Sequence, residues 1–176
     1  MLKSIMVHSL SDRTPTRNCD NHIQGTMPTT NKVADILEQE SHATIADWLM
    51  RVNAEPDVVS VRLTSDKRIA HLPEILRDIV VRLRNPLPLG TRALISDAAT
   101  EHGIRRREQG YSPAMIVEES RMLQVSIFHT LKVNIENVEA DLLLVDVMTI
   151  ADEVDSQLAQ AMTSYPIESV TQETIG

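Results

Sequence analysis

The stretch EHGIRRREQGYSPAMIVEES, residues 101–120, contains the signals for a helix end, a turn and a new helix start. Gly110 follows a helical pattern and can adopt the left-handed conformation that ends many helices. Ser112 can accept a hydrogen bond from the first free amides of the next helix, and Pro113 suits the first turn of that helix. The stretch therefore predicts a tight corner between two helices.

Tyr111 and the three consecutive arginines have structural explanations within this corner. Tyr111 precedes the predicted cap and Ile116 occupies the fourth position of the new helix, which is the spacing of a hydrophobic staple. Arg105, Arg106 and Arg107 lie in the last turns of the preceding helix, where cations offset the negative end of the helix dipole. The arginine run therefore requires no nucleic-acid partner.

A polar cluster is predicted where the two helices run antiparallel away from the corner. Antiparallel packing would set His102 beside Glu119 and bring Arg106 close to the same carboxylate. One interpretation is a structural hydrogen bond flanked by an arginine. A second is a sensing or ligand site, because a histidine with a reference pKa of about 6.5 can respond to pH near neutrality, and a third is catalysis. The candidate sensing or structural residues are His102, Arg106, Glu119 and Tyr111.

Apolar residues at helical spacing extend the helical pattern over most of the chain. Five helices are predicted, over residues 31–54, 64–84, 91–109, 113–134 and 138–162. Pro73 must either kink the second of these or begin a further helix, and residues 58–63 are predicted to form an extended connector. The inward positions predicted for the third helix are Leu94, Ile95, Ala98 and Ala99. The fold class is therefore all-α, a bundle of five to six helices.

The two ends of the chain differ in composition from the helical part. Residues 1–29 lack periodicity and are rich in polar residues and proline, so they are predicted to be a disordered leader in which Met27 could be the true start. Residues 30–165 are predicted to be one all-helical sensory or interaction domain, with Thr30 as its first helix cap. Residues 166–176 are predicted to be a flexible tail.

Composition excludes several classes of function. Aromatic residues make up only 2% of the 176 residues, which disfavours the ring platforms that stack sugars or bases. The formal net charge of -8 disfavours a general phosphate-binding surface, so no nucleic-acid partner is expected. The single cysteine, Cys19, cannot form an internal disulfide, and no apolar run reaches membrane-spanning length. These features predict a cytoplasmic protein without a membrane partner.

No catalytic, cofactor-binding or metal-binding motif stands out in the sequence. Glycine-rich phosphate loops, G-x-S-x-G and H-E-x-x-H are all absent, and the chain has only five glycines. His71 could be imagined as a metal or haem ligand, but a half-buried helix histidine is more often only hydrogen-bonded. The chain is therefore predicted not to be an enzyme and to carry no cofactor.

The fifth predicted helix carries apolar residues at alternating four- and three-residue steps, the spacing of a coiled-coil seam. The residues at these steps are Leu143, Val147, Ile150, Val154, Gln157 and Ala161. One interpretation is a helix that packs into the core of the bundle. The other is a homodimer or output seam, in which a helix shared by two subunits transmits a shift to a partner.

Four segments together resemble a known bacterial regulatory domain. They are IADWLMRV (45–52), HLPEIL (71–76), EHGIRRREQGYSP (101–113) and IVEESRML (116–123). In this order they resemble the N-terminal domain of RsbRD-type RsbT co-antagonist proteins, which is similar to the input domain of some sensor histidine kinases. The resemblance covers about residues 31–165 and lies in Trp48 and Leu49, in the H-L-P-E start at His71, in H-G-x-x-R at His102 and in Q-G-Y at Gln109.

The resemblance implies a non-catalytic, all-helical input domain of the stress-response type, similar to non-haem globin-like sensor domains. Such a domain is expected to homodimerise and to bind a regulatory protein, either a kinase or a sigma-factor regulator. The usual output module is absent, so we expect either a free-standing input domain or a fragment of a longer regulator. The alternative is a sensor that holds haem or a small apolar molecule in its helical core, with His71 or His102 in contact.

Overall fold

The computed structural model describes residues 32–91, 95–138 and 140–165. Within these ranges the chain forms helices and no strand, so the all-α prediction is confirmed. The helices are α1 (Val33–Gln39), α2 (Ser41–Asn53), α3 (Pro56–Ser60), α4 (Ser65–Ile69), α5 (Leu72–Arg84), α6 (Asp97–Glu108), α7 (Pro113–Val133) and α8 (Ala140–Met162), with a 3-10 turn at Ile135–Asn137 between the last two. The predicted leader, Thr30, Cys19, Met27, Leu94 and the predicted tail lie outside the described residues.

The first predicted helix is two helices in the structure. Glu40 lies between α1 and α2 with φ -95° and ψ 13°, outside the helical range, so the single-helix prediction for residues 31–54 is wrong. The segment contains neither glycine nor proline at this point, which means that no local signal marks the break. The break still leaves apolar residues of both helices in one core, including Leu37 and Trp48.

The connector prediction for residues 58–63 is also wrong in its first half. Pro56 begins the short helix α3, in which Val58 is completely buried, and only the residues after Ser60 are non-helical. Pro73 lies in the first turn of α5, so of the two alternatives it begins a further helix. Ile95 is 86% exposed because α6 starts after the cap at Ser96, which corrects its predicted inward position.

The core lies between the long helices α2, α5, α7 and α8, with α1 packed against α5 and α6 packed against α8. It is aliphatic apart from a few rings, and Trp48 is its largest fully buried side chain. The long helices α2, α5, α6, α7 and α8 have 13, 13, 12, 21 and 23 residues. Within the described residues, no helix is both long and apolar enough to cross a membrane. The globin-like arrangement stays a prediction.

Candidate functional site

The corner between α6 and α7 has the predicted construction. Gly110 adopts φ 89°, and the amide of Tyr111 donates to the carbonyl of Arg106 at 2.9 Å, which closes the end of α6. The Ser112 hydroxyl accepts a hydrogen bond from the amide of Met115 at 3.3 Å and caps α7. Local sequence signals therefore determine the direction in which α7 leaves the corner.

This corner brings His102, Arg106 and Glu119 together in the interior. Arg106 Nε donates to Glu119 Oε2 at 2.8 Å, and His102 Nε2 lies 3.5 Å from the same oxygen. The side chains of Arg106 and Glu119 are each only 2% exposed, and that of His102 is 11% exposed. The carboxylate is therefore held by a cation and a histidine from the facing helix.

Arg106 is held by several elements besides α7. Its Nη2 donates to the backbone carbonyl of Arg68 at 2.6 Å, and its Nη1 donates to Gln109 Oε1 at 2.9 Å. The guanidinium carbon also lies 4.8 Å above the centre of the Tyr111 ring, within cation–π range. Nη1 also donates to the backbone carbonyl of Lys67 at 3.5 Å, so the buried charge is satisfied by one carboxylate, three further oxygens and an aromatic face.

Arg68, Tyr165 and Trp48 complete the site, and sequence reasoning did not assign any of them to it. Arg68 Nη1 donates to the Tyr111 hydroxyl at 2.6 Å, and the Tyr165 hydroxyl donates to the Tyr111 carbonyl at 3.1 Å. Trp48 Nε1 donates to the backbone carbonyl of Glu119 at 3.0 Å. No local signal could have found these contacts, because they join α2, α4 and the residues that follow α8 to the corner.

The arginine run divides between the interior and the surface. Arg106 is buried, whereas Arg105 forms an exposed pair with Glu101 on its own helix. Arg107 Nη1 donates to the backbone carbonyl of Ser164, beyond the end of α8. All three side chains thus have partners within the protein.

The surroundings of Glu119 and His71 lower the pKa of both groups. Burial alone would raise the pKa of Glu119, but the hydrogen bond with His102 and the charge of Arg106 outweigh it and hold the pKa below its usual value. Burial and the neighbouring His102 lower the pKa of His71, whose ring lies 6.2 Å from that of His102 in an edge-on arrangement. Glu119 is therefore ionised and His71 neutral at neutral pH.

A small cavity lies beneath this corner, between α2, α5, α6, α7 and α8. Its volume is about 40 Å³, and its lining includes Trp48, His102, Glu119 and Gln157. Ligand pockets for molecules of cofactor size hold roughly 300 Å³ or more. A haem group would fit only if the helices separated. Of the predicted alternatives, a sensor that holds haem or a small molecule, this cavity therefore leaves only a ligand of a few atoms.

A second buried charged cluster lies between α5 and α8, and sequence reasoning missed it. Arg82 is 1% exposed, donates to Asp152 Oδ2 at 3.3 Å and lies 3.8 Å from Glu153 Oε2. Burial raises the pKa of Glu153 to about 7, although the charge of Arg82 lowers it. One signal was present in the sequence: Glu153 and Gln157 are polar residues one turn apart within an otherwise apolar stripe.

The predicted seam of α8 faces the chain's own core, which corrects its interpretation as a dimer surface. Ile150, Val154 and Ala161 are at most 3% exposed, and Leu143 and Val147 pack against the same core. The seam spacing is real, but its partners are α5, α6 and α7 of the same chain.

A different set of apolar residues is exposed around the start of α8. Leu144 is 69% exposed and Val145 is 56% exposed, and four similar side chains lie nearby in the sequence. We call this surface the α8 patch, and its members are Val133, Ile135, Leu142, Leu144, Val145 and Met148. Contiguous exposed apolar surface is typical of an interaction site, and these six residues lie close together in the sequence.

No family model, curated protein or solved structure matches this chain. The resemblance to RsbRD-type N-terminal domains therefore rests on the four quoted segments alone. The geometry explains why two of their residues are needed in this fold, since Arg106 neutralises Glu119 and Gly110 adopts a positive φ.

Proposed function

We propose that this chain is a non-catalytic, cytoplasmic input domain of bacterial signal transduction, which homodimerises through the α8 patch and presents the dimer to a regulatory protein. The proposal rests on one observation: the two halves of α8 lie in different surroundings. Its second half lines the cavity beside the polar cluster, through Val154, Gln157 and Ala161, while its first half carries exposed apolar side chains.

One continuous helix can connect these two regions mechanically. Gln157 and Met148 are nine positions apart in α8, which corresponds to about 14 Å at a rise of about 1.5 Å per residue. A change at the corner that tilts or shifts α8 would therefore move the α8 patch as well. Helix shifts of this kind at subunit interfaces are an established mode of switching.

A second copy of the chain is the occupant that fits the α8 patch. Homo-oligomers with twofold symmetry place the same surface on both sides, so an apolar patch is covered by its own equivalent. Exposed charges of both signs lie beside and among the patch residues in the sequence, namely Lys132, Glu136 and Asp141, and a twofold interface can pair opposite charges. We propose that the regulatory partner, a kinase or a sigma-factor regulator, binds the dimer.

The polar cluster supports a structural or sensing role better than catalysis. Glu119 is ionised, buried and bound to Arg106, which leaves it unsuited to accept or release a proton near neutral pH. Sensing of a small molecule remains the second candidate function, because the cavity touches His102 and Glu119 directly. The size of the cavity limits that ligand to a few atoms.

The dimer is tested by light scattering coupled to size exclusion on the wild type, Leu144→Asp and Met50→Asp. Met50 is a matched control, because it is 62% exposed on α2 and lies outside the α8 patch. We expect twice the mass of one chain for the wild type and for Met50→Asp, and the mass of one chain for Leu144→Asp. A monomeric wild type at high concentration would contradict the homodimer, and mass gained only with an added protein would favour a heterologous partner.

A further inference from the structure

The cavity beneath the corner is lined by side chains of two kinds. Most are apolar, including Leu72, Ile116 and Val154. Two buried oxygens also belong to lining residues and have no hydrogen-bond partner of ordinary length among the described residues. They are Oε1 of Gln157 and Oε1 of Glu119.

The orientation of the Gln157 amide is determined by its donors. Nε2 donates to the carbonyl of Ile75 and to Glu153 Oε1, both at 3.2 Å. A flipped amide would set its oxygen against these two oxygens, so Oε1 must point away from them. Gln157 is only 5% exposed, and its unpaired carbonyl oxygen therefore faces the interior.

Glu119 reaches the same cavity from α7. Arg106 and His102 both contact Oε2, and Oε1 is the second buried acceptor, with no hydrogen-bond partner of ordinary length. Burial and this neighbouring carboxylate raise the pKa of the Tyr111 hydroxyl, so Tyr111 and water share this acceptor. Glu119 is 2% exposed, so bulk water does not reach this oxygen. Buried acceptors of this kind are almost always satisfied by protein or by ordered water.

We propose that this cavity binds one or two ordered water molecules, which donate hydrogen bonds to Gln157 Oε1 and Glu119 Oε1. The volume of about 40 Å³ suits this occupant, since one water occupies about 30 Å³ in the liquid and a cavity that binds benzene needs about 150 Å³. Ser120 also lines the cavity and carries a hydroxyl that can donate to the water oxygen.

The bound water adds polar contacts between two helices that otherwise meet here through apolar side chains. It joins Glu119 of α7 to Gln157 of α8, and Gln157 in turn holds the carbonyl of Ile75 in α5. The water is therefore part of what sets the position of α8 against the corner. This inference does not depend on the proposed dimer, because the cavity lies within one chain.

The test combines a crystal structure of the wild type with counting of long-lived internal water by magnetic relaxation dispersion. We expect electron density within hydrogen-bond distance of Gln157 Oε1 and at least one long-lived water. Gln157→Met keeps the length of the side chain but removes the acceptor, and we expect it to lose at least one of these waters. Gln39→Met is the matched control, because Gln39 is exposed on α1, and it should leave the count unchanged.

Two results would overturn the proposal. One is an empty cavity in the wild-type crystal that fills with xenon under pressure, which is the behaviour of a dry apolar cavity. The other is an unchanged water count in Gln157→Met. If Gln157→Met does not fold, the electron density near Gln157 Oε1 in the wild-type crystal is by itself the test of the bound water. A monomeric protein with water in the cavity would leave this inference standing and contradict only the proposed dimer.

Discussion

Glu153 is the residue whose titration should be visible in the stability of the protein. Burial raises its pKa in the folded state from 4.5 to about 7. The folded state therefore binds more protons than the unfolded state between these values, and the free energy of unfolding must fall as pH rises through this window. The loss should be roughly 3 kcal/mol over the whole window, since one pKa unit corresponds to about 1.4 kcal/mol and the folded-state pKa of about 7 already includes the opposing charge of Arg82.

Urea denaturation at pH 5 and pH 8 measures this effect in the wild type and in Glu153→Gln. The variant cannot ionise at this position, so we expect its stability to drop less between the two pH values than that of the wild type. Glu118→Gln is the control, because Arg121 lowers the pKa of Glu118 and places its titration below the window. Equal pH dependence in Glu153→Gln and the wild type would show that Glu153 is already ionised in the fold.

Glu119 should act on stability in the opposite direction and in a different pH range. Its pKa in the folded state is lowered, so its contribution is complete above about pH 4.5 and is lost as pH falls through the folded value. The sequence predicted a polar cluster around Glu119 but assigned no role to Glu153. What separates them is the number of cations and donors that the fold places around each.

Helix α6 approaches α8 so closely that only glycine fits at position 103. A Cβ at Gly103 would lie 2.1 Å from the backbone oxygen of Ala161 and 2.7 Å from its Cα. Backbone atoms cannot rotate away, so the helices would have to separate. This contact gives a physical reason for the glycine in the H-G-x-x-R segment.

Gly103→Ala should therefore destabilise the protein by roughly 2 to 3 kcal/mol, the cost of overpacking a tight contact. Helix propensity alone predicts the opposite sign, because alanine is favoured over glycine by about 1 kcal/mol inside a helix. The midpoint of urea denaturation distinguishes the two effects without a further control. A variant more stable than the wild type would show that α6 and α8 are less closely packed.

Elements with local signals were predicted well, and elements determined by packing were not. The α6–α7 corner carries its own glycine, cap and proline, and α7 begins at Pro113 as expected. The break at Glu40 has no such signal, since it depends on how α1 and α2 fit the core. The sequence also predicted the seam of α8. A seven-residue repeat, however, does not show whether the seam packs against the same chain or against a second copy.

At the scale of the molecule, the sequence predicted two contacts in the site but not all of the residues that form it. Antiparallel packing from the corner was enough to set His102 and Arg106 against Glu119. Arg68 reaches Tyr111 from 43 positions away, and Trp48 reaches Glu119 from 71 positions away. Contacts over such separations follow from the packing of whole helices, which no local spacing encodes.

The proposed function requires the corner and the α8 patch to be energetically coupled, and coupling of this kind can be measured. Glu119→Gln removes the charge that binds Arg106 but leaves the backbone carbonyl that accepts from Trp48. If α8 moves with the corner, we expect the dissociation constant of the dimer to rise about fivefold or more, the usual lower range of coupling between sites. Sedimentation equilibrium over a concentration series measures this constant directly.

Glu118→Gln is the matched control for this coupling, since it makes the same chemical change on the outer face of α7 at a neighbouring position. His102→Gln provides a milder second variant, because it removes only the contact at 3.5 Å and leaves the ion pair of Arg106 with Glu119 in place. Circular dichroism melting identifies any variant that fails to fold, and His102→Gln then carries the test. If both variants fold and their dimers have the same dissociation constant as the wild type, the proposed coupling is contradicted. The cluster then only stabilises the corner and does not affect the α8 patch.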